Sequence, residues 1–386
     1  MNAEREILLC CAVTHPGPER VRRLPELLGA TLDWNAIFEQ GGWHGTLPLL
    51  YWNLQSLPGG LVPPEVLIRL RSHFHETASR NLFMTAELVQ LLSLFRERGI
   101  AAVPLKGPAL AHAIYDNLAL REFSDLDILV PRRDVGRVQE LLASRHYRPQ
   151  VHLSGAGQSA FIESNYELCF AREGSADLEI HWGFQEEKFL GANLSPDGWW
   201  DRLEPSSLGG QQVLGPPRQD LLIFLCAHGA KHVWNRLKWI SDIAELLRVS
   251  PEIDWRQLME NAEASGAKRL LLLGIYLAQH LLGSEVPAEI IGSLKAEPAL
   301  DLLAERAIES LWNGHLGILK NGLFHLNLRT RWRDKASYCL RNAMVPTAGE
   351  WELVRLPEHL SFLYYPIRPV RLLATHGWAP IKRFFG

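Results

Sequence analysis

Between Ile100 and Trp182 the apolar residues change from helical spacing to alternation, and they return to helical spacing after about residue 215. The runs "IAAVPLKG", "SDLDILV", "YELCFAR" and "ADLEIHWGF" alternate and are rich in Leu, Ile and Val, as half-buried strands are. "PALAHAIY" and "RRDVGRVQELLASRHY" separate the first three at helical spacing, and Glu173-Gly174-Ser175 joins the last two as a hairpin turn. The order strand, helix, strand, helix, hairpin predicts a small mixed sheet covered by helices.

Both flanks read as helical. Before Gly99, Leu82, Leu88, Leu91, Leu92 and Phe95 form one stripe of a long helix that opens on Pro-Pro-Glu. After residue 215, long apolar runs keep helical spacing, beginning with "PPRQDLLIFLCAHGAKHVWNRLKWISDIAELLRVS". A chain of 386 residues exceeds one ordinary core. Three parts are predicted: a helical region over 1–97, an α/β core over 98–205 and a helical domain over 206–386.

Charge and composition remove several classes of function. A net charge of −3 gives no general basic footprint for nucleic acid. The acidic start "MNAEREILLCCAV" does not resemble a secretory signal, and no run approaches the ~18 apolar residues a membrane span needs. Five cysteines at unrelated spacings match neither a disulfide framework nor a zinc knuckle. They read as reduced thiols in a cytoplasmic protein.

The chemistry concentrates in "LKGPALAHAIYDNLALREFSDLDILV". Asp125 and Asp127 lie two apart on a strand, so both carboxylates point to one face, about 7 Å apart along the chain. Two anions that close repel, and a hard divalent cation between them removes the repulsion. A third carboxylate on a neighbouring strand would let the site bridge two ions, as two-metal in-line phosphoryl transfer uses. Glu179 is the preferred candidate, Asp177 its substitute, and His181 lies two residues on. Upstream, Lys106 adds positive charge, and Gly107 allows close backbone approach to a phosphate at a helix start. Arg121 is within reach of a polyphosphate.

The ordered segments "LKGPALAHAIY", "REFSDLDILV", "LEIHWGF" and "HGAKHVWNRLKWISDIAELL" resemble an uncharacterised bacterial nucleotidyltransferase family of the polymerase-β-type superfamily, roughly over residues 40 to 250. The resemblance implies an α/β (α+β) nucleotidyltransferase fold and Mg²⁺ or Mn²⁺ held by Asp125, Asp127 and Glu179 as metal-binding and catalytic residues. It also implies transfer of a nucleotidyl group from a nucleoside triphosphate such as ATP to an acceptor. A peptide, saccharide or small molecule is favoured as acceptor over nucleic acid. One departure matters: Pro108 stands where that superfamily has a second glycine or a serine, and proline has no N–H for a phosphate. A non-catalytic nucleotide- or peptide-binding module keeping the fold is the alternative that Pro108 favours.

"HGAKHVWNRLKWISDIAELL" reads as one helix. Lys231, Lys238 and Asp242 share a charged edge there, with Arg236 nearby; it reads either as the solvated edge of a helix packed on the sheet or, as the resemblance implies, as a face toward the nucleotide, with Asp242 a salt-bridge partner for a lysine or a contact to the base. His228 and His232, one turn apart, are secondary candidates for a zinc-hydrolase site, although the glutamate of the metalloprotease pattern is missing. "LRTRWRDKASYCLRN" mixes basic and aromatic residues, as binding of nucleic acid or an acidic acceptor would want and as a solvated amphipathic helix would equally show. The two prolines of "LSFLYYPIRPVRLL" predict a packed tail in place of a membrane-surface helix.

Overall fold

The computed structural model describes residues 2–151, 161–163, 165–184, 196–314, 317–344, 353 and 358–376. Four short helices open the chain: α1 (Ala3–Cys10), α2 (Pro18–Leu28), α3 (Trp34–His44) and α4 (Leu47–Leu54). The 34-residue α5 (Pro64–Glu97) follows. Its Leu88, Leu91, Leu92 and Phe95 are buried as the stripe predicts. Leu82, placed in the same stripe, is 60% exposed, because the buried face at that level is formed by Asn81, Met84, Thr85 and Leu88 and Leu82 lies beyond its edge.

The sheet is mixed, with strand order β1-β2-β5-β4-β3, and the fold is the helix-rich α+β class of a nucleotidyltransferase. β1 (Val103–Pro104) runs antiparallel to β2 (Asp125–Leu129), and β2 runs parallel to β5 (Asp177–His181). β4 (Glu167–Ala171) joins β5 in the hairpin, and β3 (Arg148–Pro149) adds the far edge. Between β1 and β2, α6 (Gly107–Leu110) runs on into a π turn over Ala111–Tyr115. α7 (Val135–Ser144) follows β2. A separate hairpin of β6 (Glu204–Leu208) and β7 (Gln211–Gly215) was not legible in the sequence and straddles residues 205 and 206.

The single helix read over 228–247 is two helices in the structure. α8 (Arg218–Lys231) ends, and α9 (Leu237–Val249) starts after a break. Val233 and Trp234 have φ of 52° and 55°, a left-handed conformation costly for a β-branched residue. Burial of Trp234, which is fully enclosed, compensates. Its ring sits so close to Gly229 that a Cβ there would lie 2.4 Å from it, so only glycine fits.

Seven further helices complete the described chain: α10 (Trp255–Ser265), α11 (Lys268–Leu282), α12 (Ala288–Ala296), α13 (Leu300–Asn313), α14 (Ile318–Leu328), α15 (Trp332–Met344) and α16 (Tyr364–His376). α16 shows that the two prolines of "LSFLYYPIRPVRLL" do not prevent a helix there. Pro366 falls in its first turn, where no intrahelical N–H is needed, and Pro369 is accommodated inside the helix. In the Arg/Trp-rich segment, Trp332 is 73% exposed, whereas Arg329 is buried with its guanidinium over the Tyr338 ring. No helix among the described residues is long and apolar enough to cross a membrane.

Two hydrophobic cores hold these parts, and they do not follow chain order. One joins α1–α4 to α8, α9, α11 and α13 through residues such as Ile7, Leu50, Leu222, Leu271 and Leu303. The other packs the sheet residues Leu126, Ile128, Leu178 and Ile180 against α5 and α7.

Two enclosed histidines give the protein an acid-sensitive core. Burial, reinforced by Arg236 and Arg5, pushes the His44 pKa down to about 4, and the Leu237 N–H donates to its Nδ1. Burial also pushes His325 down to about 4. An unfolded histidine titrates near 6.5. The fold therefore favours the neutral rings, and their stabilisation is complete above about pH 6.5 and lost as pH falls toward 4. Urea unfolding should lose about 1.4 kcal/mol per pH unit for each histidine across that window. His44→Gln should flatten the slope by its share.

Candidate active site

The backbone first brings the glycine turn over the aspartate strand. The Leu105 N–H donates to the Asp127 carbonyl at 3.0 Å, extending the β1–β2 pairing by one residue. Gly107 then turns with φ of 55°, and a Cβ on it would lie 3.3 Å from the Asp125 carbonyl oxygen. A side chain would be strained by its conformation and crowded by that contact.

Alternation puts Asp125 and Asp127 on one face of β2, with Leu126 and Ile128 fully buried on the other. The parallel register sets Asp125 opposite Asp177 and Asp127 opposite Glu179. Asp177 is exposed, Glu179 half-buried, and Asp127 only 2% exposed. His181 follows Glu179 on the same face and is buried. Asp127 Oδ1 accepts from Lys106 Nζ at 3.0 Å and lies 3.1 Å from His181 Nε2. His181 Nε2 is also 3.4 Å from Glu179, and its Nδ1 is 3.4 Å from Glu167. Glu167 was missed in the sequence, although its place opposite His181 in the hairpin register was available from the alternation of "YELCFAR".

The electrostatics follow from these contacts. Burial works to raise the Asp127 pKa, but Lys106 and His181 outweigh it and hold the carboxyl well below the usual range. Burial opposes the His181 charge, yet hydrogen bonds with Asp127 and Glu179 raise its pKa to about 9. Burial, and then the charge of Asp127, raise the pKa of Asp125. Lys238 reaches toward this aspartate from α9. Burial and Arg121 lower its pKa to about 8, against the pull of Asp242 and Asp125. Its ammonium donates to the Glu122 carbonyl at 3.3 Å, and its stem crosses Gly45.

Asp127, Glu179 and His181 offer ligand atoms within 4.8 Å of one another, the arrangement of a possible metal site. Asp127 Oδ2 is buried with no hydrogen-bond partner among the described residues, so the donor set fits a bound cation. Two carboxylates suit Mg²⁺ or Mn²⁺, and an imidazole is also accepted by Mn²⁺ and Zn²⁺.

The other residues singled out in the sequence lie elsewhere. Arg121 and Asp242 are buried against each other in a bidentate pair, Nε–Oδ1 2.8 Å and Nη2–Oδ2 2.9 Å. The Tyr115 hydroxyl adds a third bond to Asp242 at 2.9 Å. Arg236 covers the Trp43 ring at 4.0 Å and bonds the Trp43 carbonyl, so it faces the N-terminal helices. Lys231 ends α8, and its carbonyl accepts from His325 Nε2 at 3.0 Å. His228 and His232 contact each other and Trp239, with the His232 ring stacked on Trp239 at 4.9 Å. Neither histidine joins a group of three or more metal-capable side chains among the described residues.

A family model described as an uncharacterised nucleotidyltransferase matches residues 30–283, more than half of the chain. The chain belongs to this family. The nucleotidyltransferase reading of the motifs thus stands, and the carboxylate strand, the glycine turn and α9 all fall within the matched residues. No curated protein matches the chain. Among solved structures, the solution structure of the antibiotic-resistance factor ANT(2'')-Ia is similar at 15% identity. The similarity covers 60% of this chain and 100% of that one, with a TM-score of 0.29.

Proposed function

We propose that this nucleotidyltransferase moves a nucleoside monophosphate group from a nucleoside triphosphate to an acceptor at the face shared by Asp125, Asp127 and Glu179. The buried, unpartnered Oδ2 of Asp127 beside Glu179 and His181 carries this reading. A buried carboxylate oxygen without a donor is costly unless a ligand completes it. Asp127, Glu179 and His181 would hold a divalent cation, with Asp125 beside them. Bound there, Mg²⁺ or Mn²⁺ would neutralise triphosphate oxygens and make an acceptor hydroxyl more acidic.

The chain's own groups supply the rest. Lys106 and His181 favour the charged form of Asp127. Glu179, half-buried on the open side, accepts the proton of the acceptor hydroxyl. The acceptor oxygen bonds to the α-phosphorus in line as the bond to the β-phosphate breaks, and pyrophosphate leaves. Gly107 lets the backbone approach the phosphates, whereas Lys238, bonded to the Glu122 carbonyl and seated on Gly45, is assigned to holding α9 beside the turn. Arg121 and Asp242 satisfy each other, and we assign them to holding α9 on the sheet. The five cysteines are free thiols, which suits the reducing cytoplasm. The acceptor is a peptide, saccharide or small molecule.

Thermal-shift titration of the protein with each of four nucleoside triphosphates, with and without Mg²⁺ or Mn²⁺, tests the reading. A triphosphate at a hundred times its Kd should stabilise by about 2.7 kcal/mol, and only with the metal present. Equal shifts without metal would remove the metal-dependent site. Mass spectrometry of candidate acceptors after incubation would then identify the transferred group.

A further inference from the structure

The two oxygens of Asp127 keep different company. Oδ1 is shared by the Lys106 ammonium and the His181 ring, whereas Oδ2 has no hydrogen-bond partner among the described residues. The Lys106 backbone is held by its neighbours: Leu105 bonds the Asp127 carbonyl, and Gly107 lies against the Asp125 carbonyl. Its side chain, 15% exposed, is a point charge on four rotatable bonds and can turn while the backbone stays.

We propose that Lys106 is the resident counter-ion of Asp127 and leaves it for the triphosphate when substrate binds, so that the site takes its divalent cation together with nucleotide and not before it. This inference rests on the metal-dependent reading above. While Lys106 sits 3.0 Å from Oδ1, a second cation meets both a like charge and an occupied oxygen. A triphosphate brings several negative oxygens to the turn that carries Lys106 and offers the ammonium another partner. The departing ammonium gives Oδ1 and Oδ2 together to the cation. By linkage, nucleotide and cation then raise each other's affinity by the same factor. Lys238 is the internal control. It also influences Asp125, but its ammonium is bonded to the Glu122 carbonyl and its stem is wedged against Gly45.

Mn²⁺ binding to the full chain, read by electron paramagnetic resonance with and without a non-hydrolysable triphosphate analogue, tests the handover. The wild type should bind Mn²⁺ at least about tenfold more tightly with the analogue than without it. Lys106→Met should bind Mn²⁺ alone at least about tenfold more tightly than the wild type, and the analogue should add less than about threefold. Lys106→Arg, which keeps the charge, should behave as the wild type, and Lys238→Met should change Mn²⁺ affinity by less than about threefold. A purely structural lysine would not tighten metal binding when removed. If the Met variant does not fold, Lys106→Gln takes its place. Equal Mn²⁺ affinity in wild type and variant, or equal tightening by Lys238→Met, overturns the handover and leaves the metal site standing. No Mn²⁺ binding in any of these proteins, even with the analogue, overturns both.

Discussion

Asp127→Asn is expected to cut metal-dependent nucleotidyl transfer on the order of a thousandfold, the effect of removing several kcal/mol of charge stabilisation from a transition state. Asparagine keeps the shape of the side chain and loses the charge that Lys106 and His181 stabilise. Circular dichroism should show the fold retained, because the apolar faces of β2 and β5 do not touch the substitution. The His181 pKa should fall from about 9, since its hydrogen bond with Asp127 is the largest influence raising it. Single-turnover transfer and an NMR titration of the imidazole check the two halves. Unchanged turnover in the variant would retire the proposed chemistry.

Arg121→Met is expected to destabilise the protein by about 3–5 kcal/mol, because it leaves the Asp242 carboxylate buried with its guanidinium removed. The pair spans the junction between the turn before β2 and the inner face of α9. Asn81 on α5 fixes the same junction by donating to the Leu118 and Arg121 carbonyls at 2.6 and 2.9 Å. The double variant Arg121→Met, Asp242→Leu should recover more than half of the loss, since removing both charges removes the unpaired one. Urea unfolding of the two single variants and the double variant measures this. If Arg121→Met loses only stability that substrate restores, the arginine is structural. If it leaves stability intact and weakens triphosphate binding, the nucleotide-contact reading returns.

Much of the site was legible because its parts are local. Alternation over "SDLDILV" and "ADLEIHWGF" gave two strands and the face that each carboxylate occupies. A strand, a glycine and a proline-opened helix gave the turn. What the sequence hid is non-local. Nothing near Arg121 reveals a partner 121 residues away. The closeness of Lys106 to Asp127 depends on the antiparallel β1–β2 pairing, whose register is set by tertiary packing. The helix break after Lys231 escaped notice because Val233 and Trp234 have no residue-level turn signal. Their left-handed backbone is sustained by the Trp234 ring filling the space over Gly229 and Gly274. α16 formed despite its prolines for a positional reason, Pro366 lying within the first turn.

The core shared by the chain's two ends has a consequence for biosynthesis. α1 packs on α2 and α3 and also against α11, so the part of its apolar face that meets α11 stays open until Lys268–Leu282 has been made. At roughly 5–20 residues per second, the first helices leave the ribosome on the order of ten seconds or more before their partners. During that interval an apolar surface faces the cell, where a holdase chaperone can bind it. A fragment ending before α11 would leave that surface permanently uncovered.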